Sequence, residues 1–183
     1  DEDPGSIDRP WATLAKAADA IAPGDTVVVR EGRYILGQTV IERGGRPGAY
    51  VCFHAFPGER PYLTTSAWQV FSIRASYVEI RGFEVVTQAS AENDSCGNGI
   101  SIREAHHIRI LDNIVHDCPG SGIESNRGDY IHIEGNLVYG NAHWSHYQNS
   151  GISLYQNVAA DQEPGVHNIV RGNVSCGNRN YKP

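Results

Sequence analysis

Lysine is almost missing from this sequence, which has Lys16 and Lys182 as its only lysines among 183 residues. Acidic residues outnumber lysine and arginine by 21 to 15, and the formal net charge is −6. This balance argues against a general nucleic-acid binder, because such proteins present a broad basic surface. Any attraction of a polyanionic substrate would have to come from a local group of arginines.

Long apolar stretches are missing as well, and no run approaches the roughly 20 residues that cross a bilayer. No signal peptide is present, and the chain opens at Asp1 as a mature or trimmed product would. Cysteine is scarce, and the residues at positions 52, 96, 118 and 176 do not by themselves indicate a redox compartment. We therefore expect neither a nucleic-acid nor a membrane partner.

The first part of the chain predicts a short helix followed by strands. Residues 1–9 are polar and predict a flexible lead-in, and residues 10–183 predict one domain. The stretch "RPWATLAKAADAIAPGD" has one apolar face at helical spacing, which predicts a helix over 11–21 that ends at the Pro-Gly-Asp turn. "TVVVR" then predicts a buried strand, and further short strands follow between Gly/Pro turns.

The second part of the chain repeats. Four segments alternate apolar and polar residues before a turn-forming pair: "YVEIRGFEVV" (77–86), "HIRILDNIVHDC" (107–118), "YIHIEGNLVYGN" (130–141) and "HNIVRGNVSCGN" (167–178). In the last three the pair ends in asparagine, at Asn113, Asn136 and Asn173. A Gly-Ile strand follows a loop of variable length and recurs at 99, 122 and 151, so successive repeats are 23 and 29 residues apart.

Repeats of this length indicate a solenoid, and units built only of short strands indicate one coil of a parallel β-helix. Equivalent asparagines would then stack in a ladder inside the turn, because asparagine tolerates left-handed geometry and its amide can bond both the turn and the next coil. The alternative is that these asparagines mark exposed turns. The ladder is favoured because all three follow the same strand at the same offset.

A solenoid needs its open ends covered, because unpaired edge strands invite aggregation. The helix over 11–21 is placed to cap the first coil. Nothing comparable closes the other end, where "NRNYKP" stops midway through a repeat. We therefore expect a cap and about five coils here, and further coils beyond Pro183. The expected state is a monomer, or association with those further coils.

The stretches "RPWATLAKAADAIAPGDTVVVREGRY" and "FHAFPGERPYL", with the asparagine repeats, resemble the secreted right-handed parallel β-helix proteins of the pectate-lyase-like superfamily. The resemblance covers roughly residues 10–178. It implies an all-β, right-handed parallel β-helix with an N-terminal capping helix. It also implies a secreted, periplasmic or extracellular location and a carbohydrate-active enzyme, with a polysaccharide lyase acting on a uronate-containing polymer as the first expectation.

Other members of the superfamily leave two alternatives open, a glycoside hydrolase and a non-catalytic carbohydrate-binding or structural protein. Calcium-dependent lyases of the group usually have a cluster of aspartates with a basic residue. Residues 1–183 show no clean cluster of this kind. Calcium is nevertheless the one cofactor that the resemblance suggests.

Alternation along the Gly-Ile strands assigns their faces. The residues expected inside are Ile100, Ile102, Ile123, Ile152 and Leu154. The outward columns expected are Ser101, Glu124 and Ser153, then Arg103, Asn126 and Tyr155, then Glu104, Arg127 and Gln156. The long loops all join these strands at the same side. They would make the stripe a groove that suits a polymer chain.

Uronate β-elimination needs a base for the C5 proton and positive charge for the carboxylate. Arg103 and Arg127 are the candidates for the positive charge. The candidates for proton transfer are His143, His146, Tyr147, Tyr155 and Lys182. An alternative for Arg103 is an ion pair with Glu124 on the adjacent coil.

The remaining candidates bind substrate or metal. Trp144 and Tyr147 are expected to stack on sugars, and Glu124 and Asn126 to contact the substrate. Asp94, Asp117 and Glu124 are the expected calcium ligands. A hydrolase would pair Glu124 with another carboxylate, Asp117 or Glu104, across the scissile bond. Cys96 and Cys118 lie at nearly the same place on consecutive coils, which predicts a disulfide.

Overall fold

The computed structural model describes residues 3–88, 97–145, 147 and 149–180, and these contain one helix and seventeen short strands. Helix α1 spans Leu14–Ala20. The first nine strands are β1 Thr26–Val29, β2 Arg33–Leu36, β3 Thr39–Ile41, β4 Val51–Ala55, β5 Tyr62–Thr65, β6 Gln69–Ile73, β7 Val78–Arg81, β8 Glu84–Thr87 and β9 Asn98–Arg103. The remaining eight are β10 His106–Leu111, β11 Ile114–His116, β12 Ile123–Asn126, β13 Asp129–Glu134, β14 Leu137–Tyr139, β15 Ile152–Tyr155, β16 Ile169–Arg171 and β17 Val174–Cys176.

The strands form three parallel sheets, and each coil adds one strand to each sheet in turn. Sheet A has the order β1-β4-β7-β10-β13-β16, sheet B has the order β2-β5-β8-β11-β14-β17, and sheet C has the order β3-β6-β9-β12-β15. Neighbours in every sheet therefore come from consecutive coils, and the predicted parallel β-helix is confirmed.

The core consists of columns of apolar side chains that run from coil to coil. In sheet A, Phe53 lies beside Ile80, Ile80 beside Ile110, and Ile110 beside Ile133. All four are fully buried. Complete burial of such a side chain contributes about 1.5–3 kcal/mol, so each added coil extends the core and stabilises the coil before it.

Helix α1 is shorter than the predicted span of 11–21. Thr13 caps its start, because the Thr13 side chain accepts a hydrogen bond from the Lys16 backbone N–H at 3.1 Å. Leu14 and Ala17 are buried in the core, and the helix contacts β3, so the predicted cap over the first coil is confirmed. Trp11 lies before the helix, and its indole donates to the Asp3 carbonyl at 2.9 Å.

The prediction that "TVVVR" is a buried strand is only partly right. In β1, Val29 is buried, whereas Thr26 is exposed and Val28 is 51% exposed. The strand belongs to the first coil and alternates like the others. Its outward side chains therefore face solvent, and its apolar composition does not report full burial.

The predicted asparagine ladder is confirmed between sheets A and B. The Oδ1 of Asn136 accepts both the backbone N–H and the amide of Asn113, at 2.9 and 3.1 Å. The Oδ1 of Asn173 accepts the same two groups of Asn136, both at 2.9 Å. The ladder starts at Phe83, whose backbone N–H donates to Asn113 Oδ1 at 3.0 Å. Each amide therefore satisfies backbone groups that the turn leaves without strand partners.

The turn before the ladder requires left-handed backbone at the preceding residue. Asp112, Gly135 and Gly172 have φ values of +57°, +70° and +63°. At Gly135, a Cβ atom would lie 2.5 Å from Asp112 Oδ1 of the previous coil. Glycine is needed there both for its φ angle and for the space that it leaves.

A second asparagine ladder, which the sequence analysis missed, lies where sheet B ends. Asn178 Oδ1 accepts the backbone N–H and the amide of Asn141, at 3.0 and 2.9 Å. Asn141 Oδ1 in turn accepts the Cys118 backbone N–H at 3.0 Å. Both members follow those of the first ladder by five residues, and Cys118 takes the place of asparagine in the earlier coil. Two ladders therefore bracket the short strands of sheet B.

We expect Asn136→Ala to lower the free energy of unfolding by about 3 kcal/mol, because buried donors and acceptors in three coils lose their partner. Urea unfolding followed by circular dichroism measures this loss. Asn157→Ala is the matched control, since Asn157 is exposed and its replacement should cost under about 0.5 kcal/mol. Equal losses in the two variants would contradict the stabilising role of the ladder.

The outer face of sheet A carries a charged cluster around Glu79. The Glu79 carboxylate is 2.9 Å from His54 Nε2 and 3.3 Å from the Arg109 guanidinium, and Arg109 also lies over the Tyr50 ring. Hydrogen bonds to Cys52 and Glu79 raise the pKa of His54 to about 9 against the opposing effect of burial. The hydrogen bond from His54 is the largest cause that lowers the pKa of Glu79.

The raised pKa of His54 predicts a stability that depends on pH. The folded protein binds this proton more tightly than the unfolded chain, whose pKa is near 6.5. The stabilisation is therefore complete below pH 6.5 and is lost as the pH rises from 6.5 to about 9. The difference corresponds to at most about 3 kcal/mol. Urea unfolding at both ends of this range should show a larger loss in the wild type than in His54→Gln. An equal loss of stability in the wild type and in His54→Gln would refute a contribution from His54.

Candidate functional site

The outer face of sheet C carries the predicted stripe, and its columns have the predicted register. Ser101 lies beside Glu124, and Glu124 beside Ser153. Two residues further along each strand, Arg103, Asn126 and Tyr155 are also neighbours. We name this surface the groove: the first column is its floor, and the second column is its arginine wall.

The floor is less accessible than predicted. Ser101 is fully buried and Glu124 is 4% exposed, although both point away from the core. Glu124 Oε1 accepts the Ser101 hydroxyl and the Asn98 amide, each at 2.8 Å. The carboxylate therefore lies back over the previous coil, where these donors replace water. Glu124 is not the exposed ligand that the sequence analysis expected, and only Ser153 of the floor column is partly exposed.

The arginine wall is exposed. Arg103 is exposed and has no ion pair with any residue that the structure describes. The alternative ion pair between Arg103 and Glu124 is thus not formed. Beside Arg103, the Asn126 amide donates to the Tyr155 hydroxyl at 3.3 Å, and Tyr155 is 39% exposed. Arg127, one residue beyond this wall, is held by Glu104 at 3.4 Å.

The opposite side of the groove is formed by the loops that precede the strands of sheet C, and we name it the loop wall. Trp144 is 43% exposed and Tyr147 is 68% exposed on the loop that leads to β15. The Trp144 backbone N–H donates to the Pro119 carbonyl of the previous loop at 3.1 Å. Two large aromatic surfaces are therefore presented to solvent on a loop held by backbone hydrogen bonds.

A third aromatic residue at this side, Trp68, was not predicted from the sequence. Trp68 directly precedes β6 and is 52% exposed, and its carbonyl accepts the Asn98 backbone N–H at 2.7 Å. Trp68 therefore lies directly beside Asn98, one coil before the start of β9. The signal available in the sequence was its position before an apolar strand, equivalent to the loops before Gly99 and Gly122.

His143 and Asp117 lie away from the arginine wall. Both line a cleft of about 620 Å³ where sheet B ends, together with Val86, Thr87, Gln88, Gly140 and Gly177. The His143 Nδ1–H donates to the Gly140 carbonyl at 3.2 Å, since a carbonyl oxygen can only accept. Arg103 lies at the opposite end of β9 from Asn98, where the loops join sheet C.

Three predicted site residues, Asp94, His146 and Lys182, lie outside the described residues, as does Cys96 of the predicted disulfide. Cys118 is a free thiol in the structure. It is fully buried, and burial raises its pKa to about 11 against hydrogen bonds from Thr87. Cys118 lies in the second asparagine ladder and not at an exposed edge of a loop.

The described residues do not fit the predicted calcium site. Asp117 pairs with the His116 ring at 2.8 Å beside the cleft, whereas Glu124 is buried in the floor. Among the residues that the structure describes, no three histidine, cysteine or acidic side chains are grouped to hold a metal ion.

Three parallel sheets wound around one core, with variable loops along one side of sheet C, define a parallel β-helix of the pectate-lyase-like kind. The family described as "Pel9A-like, right handed beta helix region" matches residues 1–180. The chain therefore belongs to this family, and the resemblance to the pectate-lyase-like superfamily and the right-handed fold are both confirmed.

One solved structure supports the fold. Pectate lyase Pel9A aligns with 81% of this chain at 19% identity and a TM-score of 0.64. A rhamnogalacturonan lyase aligns with 93% of this chain at 16% identity and a TM-score of 0.45, which covers 64% of that protein. The chain spans 42% of the length of the Pel9A structure. A comparison with curated proteins found no match. No described helix is long and apolar enough to cross a membrane.

The loop wall predicts a contribution of aromatic stacking to oligosaccharide binding. Replacing Trp144 and Tyr147 together by alanine should weaken binding of uronate oligosaccharides about 10- to 100-fold, because each ring supplies apolar surface to a sugar face. Isothermal titration measures the affinity. Phe56→Ala is the matched control, since Phe56 is 41% exposed but follows β4 of sheet A. Unchanged affinity in the double variant would argue against a stacking role.

Proposed function

We propose that this chain is the groove-bearing β-helix of a secreted polysaccharide lyase that cleaves a uronate-containing polymer by β-elimination. The observation that carries the proposal is the exposed Arg103 on the arginine wall. Its guanidinium has no ion pair with a described residue, and it stands beside the amide of Asn126 and the hydroxyl of Tyr155. A planar carboxylate is the ligand that such a guanidinium binds with two parallel hydrogen bonds.

The shape of the site supports a polymer as the ligand. The floor and both walls are columns of residues from successive coils, so the groove runs along the solenoid axis, across the strands. Neighbouring strands are about 4.8 Å apart, which is close to the length of one sugar residue in a chain. Aromatic rings on the loop wall and Arg103 opposite offer stacking and charge to such a chain.

In β-elimination a base removes the C5 proton of the uronate, and the C4–O bond then breaks as the C4–C5 double bond forms. Arg103 would hold the carboxylate and stabilise the negative charge that develops on it. Tyr155 is the described proton-transfer group on the same wall, and its hydroxyl is positioned by Asn126. His143 lines the cleft where sheet B ends and is not part of the arginine wall, so the residues predicted from sequence divide into two sets.

A non-catalytic carbohydrate-binding protein is the second candidate. One observation favours it. The described residues of the arginine wall include two groups that can bind a ligand, Arg103 and Asn126, but only Tyr155 can transfer a proton. A glycoside hydrolase has less support. Glu124 is buried by hydrogen bonds from its own sheet, Glu104 is paired with Arg127, and Asp117 lies by the cleft. No two of these carboxylates face each other across the groove.

The assay for the proposal is the ultraviolet absorbance of the unsaturated uronate product on pectate, alginate and related polymers, with and without a calcium chelator. Reducing ends that increase without this absorbance would indicate a hydrolase. Binding without any product would indicate the non-catalytic protein. Neither binding nor product would overturn the proposal. Loss of activity with the chelator would support the calcium dependence that the family resemblance suggests.

Arg103→Gln should lower kcat/KM by about 100-fold on the polymer that is cleaved, because the carboxylate loses its charged partner. Arg33→Gln is the matched control: it makes the same charge change on sheet B and should leave the rate unchanged. A rate in Arg103→Gln within about twofold of the wild type would remove Arg103 from the reaction.

A further inference from the structure

A continuous set of hydrogen bonds joins the floor of the groove to its loop wall. It begins at Glu124, whose Oε1 accepts from Ser101 and Asn98. Asn98 is 6% exposed, and its Oδ1 accepts the Ser121 backbone N–H at 2.7 Å. The amide of Asn98 is therefore oriented from both ends: its nitrogen faces the carboxylate and its oxygen faces the loop that precedes β12.

Asn149 continues the set into the loop wall. Its amide donates to the Ser121 hydroxyl at 2.8 Å and approaches Asn98 Oδ1 at 3.4 Å. Its Oδ1 accepts the hydroxyl of Ser145. Ser145 is 1% exposed, and its Oγ accepts the Tyr147 backbone N–H at 3.0 Å. Buried hydrogen bonds thus reach the backbone of the residue that presents an exposed aromatic ring.

The set is directional, because each amide and hydroxyl within it has one orientation that satisfies its neighbours. A carboxylate can only accept, so Glu124 requires the Asn98 nitrogen. The Asn98 oxygen then requires donors from the loops, and the Asn149 nitrogen is one of them. Reorienting any member would leave a buried polar atom without a partner.

We propose that Glu124, Asn98 and Asn149 act as positioning residues that hold Trp144 and Tyr147 at the groove. This inference rests on the proposed function in so far as the bound ligand is a uronate oligosaccharide. Glu124 is then neither a calcium ligand nor a catalytic acid. It acts through Asn98 and Asn149 by setting the position of the aromatic wall.

The first readout is the environment of Trp144 and needs no ligand. Replacing Trp11 and Trp68 by phenylalanine leaves Trp144 as the only tryptophan. In that background, Asn149→Ala should raise the acrylamide quenching constant of Trp144 at least twofold. Glu124→Ala should do the same from across the groove. Glu124→Gln should leave quenching near the starting value, because its amide oxygen still accepts from Asn98 and Ser101.

The second readout is the affinity for uronate oligosaccharides in the protein with all three tryptophans. Asn149→Ala should weaken binding about tenfold, while its urea unfolding midpoint stays close to that of the wild type. Gln69→Ala is the matched control. Gln69 is equally buried and lies in the same column as Asn98. Its side chain bonds to Gln38, just before β3, and not to the loop that carries Trp144. It should change neither quenching nor affinity.

The two readouts separate failure of this inference from failure of the proposed function. Quenching unchanged in both Asn149→Ala and Glu124→Ala would overturn the positioning role, whatever the ligand. Quenching raised equally by Gln69→Ala would also overturn it, because the effect would then be general loosening of the fold. A wild type that binds no uronate oligosaccharide would overturn the proposed function, while the quenching results would still decide the positioning role.

Discussion

The register between consecutive coils is the constraint on which the rest of this structure depends. Every described strand pairs in parallel with its equivalent in each neighbouring coil that the structure describes, so one alignment places all three sheets at once. A shift of a single residue would move each apolar column from the core to the surface. The asparagine ladders oppose such a shift, because Asn113, Asn136 and Asn173 meet only when the coils are aligned. Their amides bond side chain to side chain and side chain to backbone, so they hold both the register and the turn.

The same register builds the groove. The floor and the walls are columns of equivalent positions in successive coils. A side chain that can contact a ligand in one coil therefore has neighbours in the next coils at the strand spacing, which suits a polymer. Length variation is tolerated between sheets B and C, because the loops there leave the coil and return to the same strand position. It also occurs between sheets C and A, where β9 and β10 are close in sequence but β15 and β16 are far apart. The fold thereby separates a fixed surface on the strands from an adaptable surface on the loops. The hydrogen bonds from Glu124 to Ser145 link the two.

Several features could be predicted because they follow from local pattern. The columns through Ile100 and Ile123, the neighbours Arg103, Asn126 and Tyr155, and the first ladder all come from alternation and repeat spacing. The second ladder could also have been predicted, since Gly-Asn recurs at 140–141 and 177–178. The equivalent position in the earlier coil is Cys118, which breaks the asparagine pattern. The solvent exposure of the outward side chains could not be predicted from the sequence. Alternation says that Glu124 points outward, but its burial depends on Asn98 and Ser101, which reach its carboxylate only after the coils stack.

Sequence alone determined the architecture of this protein, because strand alternation, turn residues and repeat length are local properties that only a parallel β-helix satisfies together. The shared motifs then placed it in the right kind of family. Only the tertiary structure decided which candidate residues share a site. Arg103, Asn126 and Tyr155 meet because they are equivalent positions in stacked coils. His143 and Asp117 line a cleft where sheet B ends instead, and no sequence motif records that division. The position of the aromatic loop likewise depends on tertiary contacts, because Asn149 finds its partner Ser121 only in the previous coil.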